Sequence, residues 1–137
     1  MEAKTRSFST VSEDAIGAYQ EDGVVCLRGM IADEWLDLAR KGIDRNLQYP
    51  GRFFRDHTPA DSLGRYVFEY WSWPDTPEIK KIVLHSPLAQ IAGELIQAQQ
   101  VNMVMDNWFM REAGASNGAP WHHDEPYFDF EGTLCVV

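Results

Sequence analysis

The chain is expected to be a single α+β domain, on three observations. Helix-type spacing of apolar residues recurs between residues 10 and 98. From Val101 the period changes to the alternation of a strand. The strand-like part then carries Pro120-Trp121-His122-His123-Asp124, an imidazole and a carboxylate two residues apart. At 137 residues there is length for one core. The chain therefore reads as one domain over 1–137, with a mainly helical layer over 10–98 and strands over 101–137.

Residues 1–9 read as a loose tail. Thr10-Val11-Ser12-Glu13 has the form of a capping box with Thr10 as the cap, and a helix to about Asp22 buries Ala15, Ile16 and Tyr19. Gly23 is its stop. Val24-Val25-Cys26-Leu27 follows as a short apolar strand closed by Gly29. Asp33 is the expected cap of a second helix to about Gln48, with Trp35, Ala39, Ile43 and Leu47 on one side and Pro50-Gly51 ending it. Residues 50–65 read as a long binding or lid loop holding Arg52, Phe53, Phe54, Arg55 and His57. Tyr66 to Trp73 alternates in strand fashion and is rich in aromatic residues. Thr76-Pro77 and Ser86-Pro87 each pair a capping residue with a proline at the first helical position, opening helices over about 77–84 and 87–98. His57 is expected to be an ordinary loop histidine, and His85 a structural one.

In the strand predicted from Val101, Met103, Met105, Asn107, Phe109 and Arg111 share one face. A polar Asn107 between Met105 and Phe109 suits the ligand-facing interior of a barrel. Thr133 to Val137 is a further apolar strand, and the sequence stops inside it.

Composition narrows the partners. The net charge of −9 argues against nucleic acid, because phosphate binding needs a basic face. Arg52 and Arg55 nevertheless form a local cationic cluster able to meet a substrate carboxylate or phosphate. No apolar run has the length of a membrane span, and Met1-Glu2-Ala3-Lys4-Thr5-Arg6 lacks the apolar region of a signal peptide. Cys26 and Cys135 both lie in apolar runs and are expected to be buried free thiols, which fits a cytoplasmic setting.

The chemistry concentrates at His122-x-Asp124. Residues i and i+2 of an extended strand project to the same side, so one nitrogen and one oxygen would converge on one point. That is two-thirds of the 2-His-1-carboxylate set that holds non-haem Fe(II) and leaves positions open for substrate and oxygen. A flexible loop, Gly114 to Gly118, leads toward it; Pro120 precedes it and Pro126 breaks regular pairing just beyond.

Pro120-Trp121-His122-x-Asp124-x-x-Tyr127-Phe128 resembles the first metal-binding motif of the phytanoyl-CoA dioxygenase family of Fe(II)/2-oxoglutarate oxygenases. Residues Tyr19 to Gly29 are similar to that family's N-terminal helix, glycine and strand, and Asp106 to Gly114 to the strand and turn before its metal motif. The resemblance runs from about residue 10 to the end. It implies N-terminal helices packed on the first strands of a double-stranded β-helix, a cupin-like jelly roll whose barrel this chain leaves incomplete. It further implies His122 and Asp124 as metal ligands, Asn107 near 2-oxoglutarate, and hydroxylation of an unactivated C–H of a small-molecule or acyl substrate as 2-oxoglutarate becomes succinate. Related halogenases carry a small residue where Asp124 stands, so the carboxylate argues for hydroxylation. Arg52, Arg55 and Tyr127 are candidate substrate contacts.

The family's second histidine and its 2-oxoglutarate-binding arginine come from later strands, and no His or Arg follows Asp124. The expectation is therefore a piece of a larger oxygenase, inactive alone and prone to self-association through an open sheet edge. Two rivals are a non-catalytic binding or assembly module with a decayed metal motif, and a cupin-like metalloenzyme that uses no 2-oxoglutarate.

Overall fold

The computed structural model describes residues 9–124, Tyr127 and Val136. Four helices and three strands follow in the order α1 (Glu13–Asp22), α2 (Asp33–Gln48), β1 (Phe54–Asp56), β2 (Tyr66–Tyr70), α3 (Pro77–His85), α4 (Leu88–Leu95) and β3 (Asn107–Arg111). The strands form one open antiparallel sheet in the order β1-β2-β3. None of the helices among the described residues is long and apolar enough to cross a membrane.

The helices pair off. In α1 the capping residue is Ser12 rather than Thr10: its hydroxyl accepts from the Ala15 N–H at 3.2 Å. Just before this cap, Glu94 of α4 accepts from the Val11 N–H at 2.6 Å. That amide donor, followed by Gln90, holds the Glu94 carboxyl below its ordinary range. Gly23 closes α1 in the left-handed conformation, φ 72°, with its N–H on the Tyr19 carbonyl. Gln20 donates to the Leu95 carbonyl, a second tie to α4. Between α1 and α4, Val11, Ile91 and Leu95 form a buried cluster flanked by Ala15, Ile16, Tyr19, Val25 and Leu27.

The strand expected over 24–27 is not formed. No strand among the described residues lies alongside it, so its alternation serves only to turn Val25 and Leu27 into the helical core. Val24 and Cys26 face outward, which corrects the expectation of a buried Cys26 thiol. Cys135, Pro126 and, Val136 apart, the strand expected over 133–137 lie outside the described residues.

In the second pair, Gly42 of α2 admits Ile79 of α3, whose Cδ1 lies 2.7 Å from where a β-carbon would stand. Arg45 grips Glu78 through both carboxylate oxygens at 2.8 Å, which lowers the Glu78 pKa. Two expected caps are not used. Ala32 precedes α2 without a side-chain cap, leaving Asp33 to favour the helix dipole from the first turn. Thr76 precedes α3, but its hydroxyl donates to buried Asn46 of α2 at 2.7 Å. A tertiary hydrogen bond has taken the group that local capping would use. Helix α4 is shorter than expected and exposes Leu88; Gln97, at φ 52°, ends it with the paired bonds Gln97 N–H to Glu94 and Ala98 N–H to Gly93 of a Schellman motif.

Strand β2 is the centre of the sheet. Its Val67 and Glu69 point to the buried side and its Tyr66, Phe68 and Tyr70 to the other. The region expected to be one long loop contains β1, whose Arg55 pairs with Phe68. Strand β3 is confined to five residues because β2 ends at Tyr70; Val101 to Met105, though read as alternating, have no strand to pair with among the described residues. At that end the Asp106 carboxylate accepts from the Ser72 N–H and hydroxyl and from the Trp73 N–H, pinning the turn after β2.

The other end of β2 is pinned by the 112–116 turn. Glu112 takes the Arg65 N–H and guanidinium, which lowers the Glu112 pKa. Gly64 packs directly on that turn: a β-carbon there would lie 2.5 Å from the Ala113 carbonyl oxygen and 2.7 Å from the Ala115 nitrogen. Backbone cannot give way as a side chain does. The gain from restricting the unfolded chain is only about 0.4–1 kcal/mol, whereas forced overpacking costs about 1–3 kcal/mol or more. Gly64→Ala is therefore expected to destabilise the chain by about 1–2 kcal/mol, read as a lower urea midpoint at an unchanged m-value.

Glu69 is the most consequential buried residue, 2% exposed, with its carboxylate folded beneath Gly51. Desolvation raises its pKa above the ordinary 4.5, Asp106 and Asp75 add to the rise, and the Gly51 N–H opposes it. A raised carboxyl pKa contributes stability that is full below the unfolded value and is lost as pH rises through the folded one. The stability of Glu69→Gln relative to wild type is thus expected to increase from about pH 4 toward neutrality. Thermal melts of the pair across that range check it, and a pH-independent difference would refute it.

Candidate functional site

The sheet presents its open face as a band of aromatic rings. Phe68 lies 5.4 Å from Phe109 and 6.4 Å from Tyr70, Phe53 stacks on Tyr70 at 5.2 Å, and His57 meets Phe68 edge-on at 5.0 Å. Cross-strand aromatic pairs of this kind stabilise by about 0.5–1.5 kcal/mol each. They also leave apolar surface uncovered, with Phe109 59% exposed. Asn107 stands on this face opposite Tyr70, exposed, as its alternation in the sequence predicts. Arg111 stands on it four residues away, opposite Tyr66, about 13 Å along the strand.

The segment leading to His122 is moored at the Arg111 end. Asn117 donates to the His57 carbonyl at 2.8 Å, Ser116 N–H to the Ser62 hydroxyl at 3.1 Å, and Arg111 to the Ala115 carbonyl at 3.4 Å. Gly118 then passes so close to the Arg111 guanidinium that a β-carbon would lie 3.2 Å from one of its nitrogens. These contacts bring the chain off β3 and into the metal-type motif.

His122 and Asp124 are not on a regular strand. The chain bends at Asp124, whose carbonyl accepts from the Tyr127 N–H at 2.9 Å. The two side chains nevertheless meet: His122 Nε2 lies 3.4 Å from Asp124 Oδ1. Donor atoms each about 2.1 Å from a common cation stand roughly 3.0–3.4 Å apart at right-angled to tetrahedral geometry. The spacing fits a chelate. His122 Nδ1 lies 2.7 Å from the Pro120 carbonyl oxygen. A carbonyl can only accept, so Nδ1 carries a proton, and Nε2 faces Asp124, donating to it when protonated and offering a lone pair when not. A backbone carbonyl orienting an imidazole in this way is the usual second-shell partner of a metal-bound histidine. Neither side chain is deeply buried, at 43% and 41% exposed.

Tyr127 joins them, its ring 6.0 Å from the His122 ring and nearly perpendicular to it. The remaining candidates are apart. Arg55 is on the open sheet face over the Tyr70 ring and spends hydrogen bonds on the Phe54 and Arg52 carbonyls. Arg52 stacks on Phe53 and lines a cavity near α2. The two arginines are neighbours, their guanidinium groups over the stacked Phe53 and Tyr70 rings. His57 and His85 do not join the metal donors, and among the described residues no group of three His, Cys, Asp or Glu side chains converges. Glu69 was missed by the sequence reading; the only signal was a single acid in an aromatic strand, Tyr66-Val67-Phe68-Glu69-Tyr70.

A family model described as Phytanoyl-CoA dioxygenase (PhyH) matches residues 19–137. Neither the curated proteins nor the solved structures yield a match. The family match spans the end of α1, the other three helices, the sheet and the His-x-Asp motif, and the chain belongs to the phytanoyl-CoA dioxygenase family.

Proposed function

We propose that this chain supplies the first two ligands of a non-haem iron centre in an Fe(II)- and 2-oxoglutarate-dependent dioxygenase. The observation that carries the reading is the convergence of His122 Nε2 and Asp124 Oδ1 with Nδ1 committed to the Pro120 carbonyl. A cation between the two groups favours their approach, and with Nδ1 already donating to Pro120 that cation is a second proton on Nε2 or a metal ion held by both. Family membership supports an oxygenase of this kind. The sheet, buried on one face and aromatic on the other, is consistent with the opening strands of a double-stranded β-helix whose inner wall is that open face.

Bound at such a centre, iron and 2-oxoglutarate would activate molecular oxygen, one of its atoms entering succinate as CO2 is released and the other turning an unactivated C–H of the substrate into C–OH. The protein's part is positioning and exclusion of water. Pro120 fixes the imidazole tautomer, Asp124 contributes the charge that offsets the cation, and Tyr127 stands edge-on to the imidazole, where it can border a substrate. Asn107, on the inner wall, is placed to offer an amide to a carboxylate of 2-oxoglutarate. The substrate is a small molecule or an acyl group.

The rival reading is a binding or assembly module, favoured by the presence of only two converging donors among the described residues. Metal affinity separates the two. His122→Ala and Asp124→Ala are each expected to weaken Fe(II) or Mn(II) binding by at least about tenfold, measured anaerobically by calorimetry. Asp124→Ala is further expected to abolish 2-oxoglutarate-dependent succinate release by the enzyme that carries this chain. Metal affinity and succinate release both unchanged would reject the assignment.

A further inference from the structure

Charge is distributed unevenly over the two faces of the sheet. The chain holds 21 acidic and 12 basic side chains, yet its strands place none of the acidic ones on the open face: Asp56 and Glu69 fall on the other. The open face instead carries Arg55 on β1 and Arg111 on β3.

Elsewhere arginines are neutralised, Arg40 by Asp37, Arg45 by Glu78 and Arg65 by Glu112. Arg52 and Arg55 are exposed and have no carboxylate partner among the described residues. Their guanidinium groups stand 5.1 Å and 5.9 Å from the centres of the Phe53 and Tyr70 rings, which stack on each other at 5.2 Å. Arg55 is fixed through one nitrogen, Nη1, which donates to the Phe54 carbonyl at 2.7 Å and the Arg52 carbonyl at 3.3 Å. Its Nε and Nη2 donors have no acceptor among the described residues. Arg111 is used otherwise, on the Ala115 carbonyl and against Gly118 in the loop toward His122. Two neighbouring cations without a counter-charge favour an anion beside them, and the guanidinium fork matches an oxyanion.

Apolar surface leads from this pair toward β3. Phe68 is paired with Arg55 on one side and Phe109 on the other, so the three form one row across the sheet, about 10 Å long at two strand spacings. The Phe68 and Phe109 rings are tilted 5.4 Å apart, and Phe109 is largely exposed. Asn107, the proposed 2-oxoglutarate contact, stands beyond the row on β3.

We infer that the substrate of the proposed oxygenase, an inference that rests on that reading, is a small aryl anion. Its carboxylate or phosphate lies on the Arg55 guanidinium with Arg52 alongside, and its ring lies across Phe68 and Phe109. Aromatic walls favour a flat aromatic body over a flexible chain, because ring contacts add to the area buried and a rigid body loses little freedom on binding.

The test is calorimetric titration of the whole chain, without iron or 2-oxoglutarate, with hydrocinnamate and with phenyl phosphate, against hydrocinnamyl alcohol and octanoate. Saturable binding in the millimolar range is expected for an aryl anion, the tighter of the two identifying the head group. The neutral alcohol should bind at least about tenfold more weakly, and octanoate about threefold more weakly. Arg52→Gln and Arg55→Gln combined, both at exposed positions, should weaken the aryl anion at least about tenfold, and Phe109→Ala about threefold. His122→Ala should bind it unchanged while losing metal affinity, so failure of the iron reading and failure of this one are read separately. The inference is overturned if neither aryl anion saturates, if the alcohol or octanoate binds as tightly, or if the arginine pair or Phe109 can be replaced without loss.

Discussion

The pairing of Tyr66–Tyr70 with Asn107–Arg111 is the constraint on which the rest of the described architecture depends. It joins segments some forty residues apart and sets where each end of the sheet must lead. At one end, Asp106 leaves β3 and its carboxylate holds the turn at Ser72 and Trp73, shaping one wall of the cavity. At the other, Arg111 and Glu112 hold Arg65 and the 112–118 loop, from which the chain runs on to His122. The register also decides the two faces. A slip of one residue would turn Glu69 outward and bring Phe68 beneath Gly51, reversing every side chain of the strand.

Much of the helical layer was legible because its signals are local. Ile91 and Leu95 on one helix, Trp35 on another, and Gly23 past the end of a third are periodicity and chain-reversal signals that need no partner. The failures share one cause: a group with a plausible local use was taken by a distant one. Thr76 bonds Asn46 instead of capping α3, and Val11, inside the expected capping box, gives its N–H to distant Glu94. Strand assignments failed in the same way. Val24 to Leu27 is a continuous apolar run and Val101 to Met105 was read as alternating, yet a strand exists only where a partner is available, and partnership is invisible to a single segment. The three-residue β1 was the converse, too short to show a period and defined entirely by its pairing with β2.

The His-x-Asp motif was legible for a different reason. Its geometry is set within three residues, so the convergence follows from chain connectivity rather than from tertiary partners. The expected strand is absent, and the atoms still meet at 3.4 Å because the bend at Asp124 brings the carboxylate back toward the imidazole. What sequence could not supply was the tautomer. That rests on the Pro120 carbonyl, a backbone atom whose direction depends on how the preceding loop is moored to Arg111, Ser62 and His57.

This division of labour has an energetic consequence for the motif. A chelate formed by residues i and i+2 loses little chain entropy when it closes, since the loop between its ends is minimal. At sites roughly two-fifths exposed, water screens the charges of the pair and limits how strongly two donors alone can hold a cation. Glu69 is the opposite case. Burial raises its pKa, and the acidic Asp106 and Asp75 add to the rise. The two therefore differ in setting: water screens the charges of the exposed His122–Asp124 pair, whereas burial presses the Glu69 carboxyl toward its neutral form.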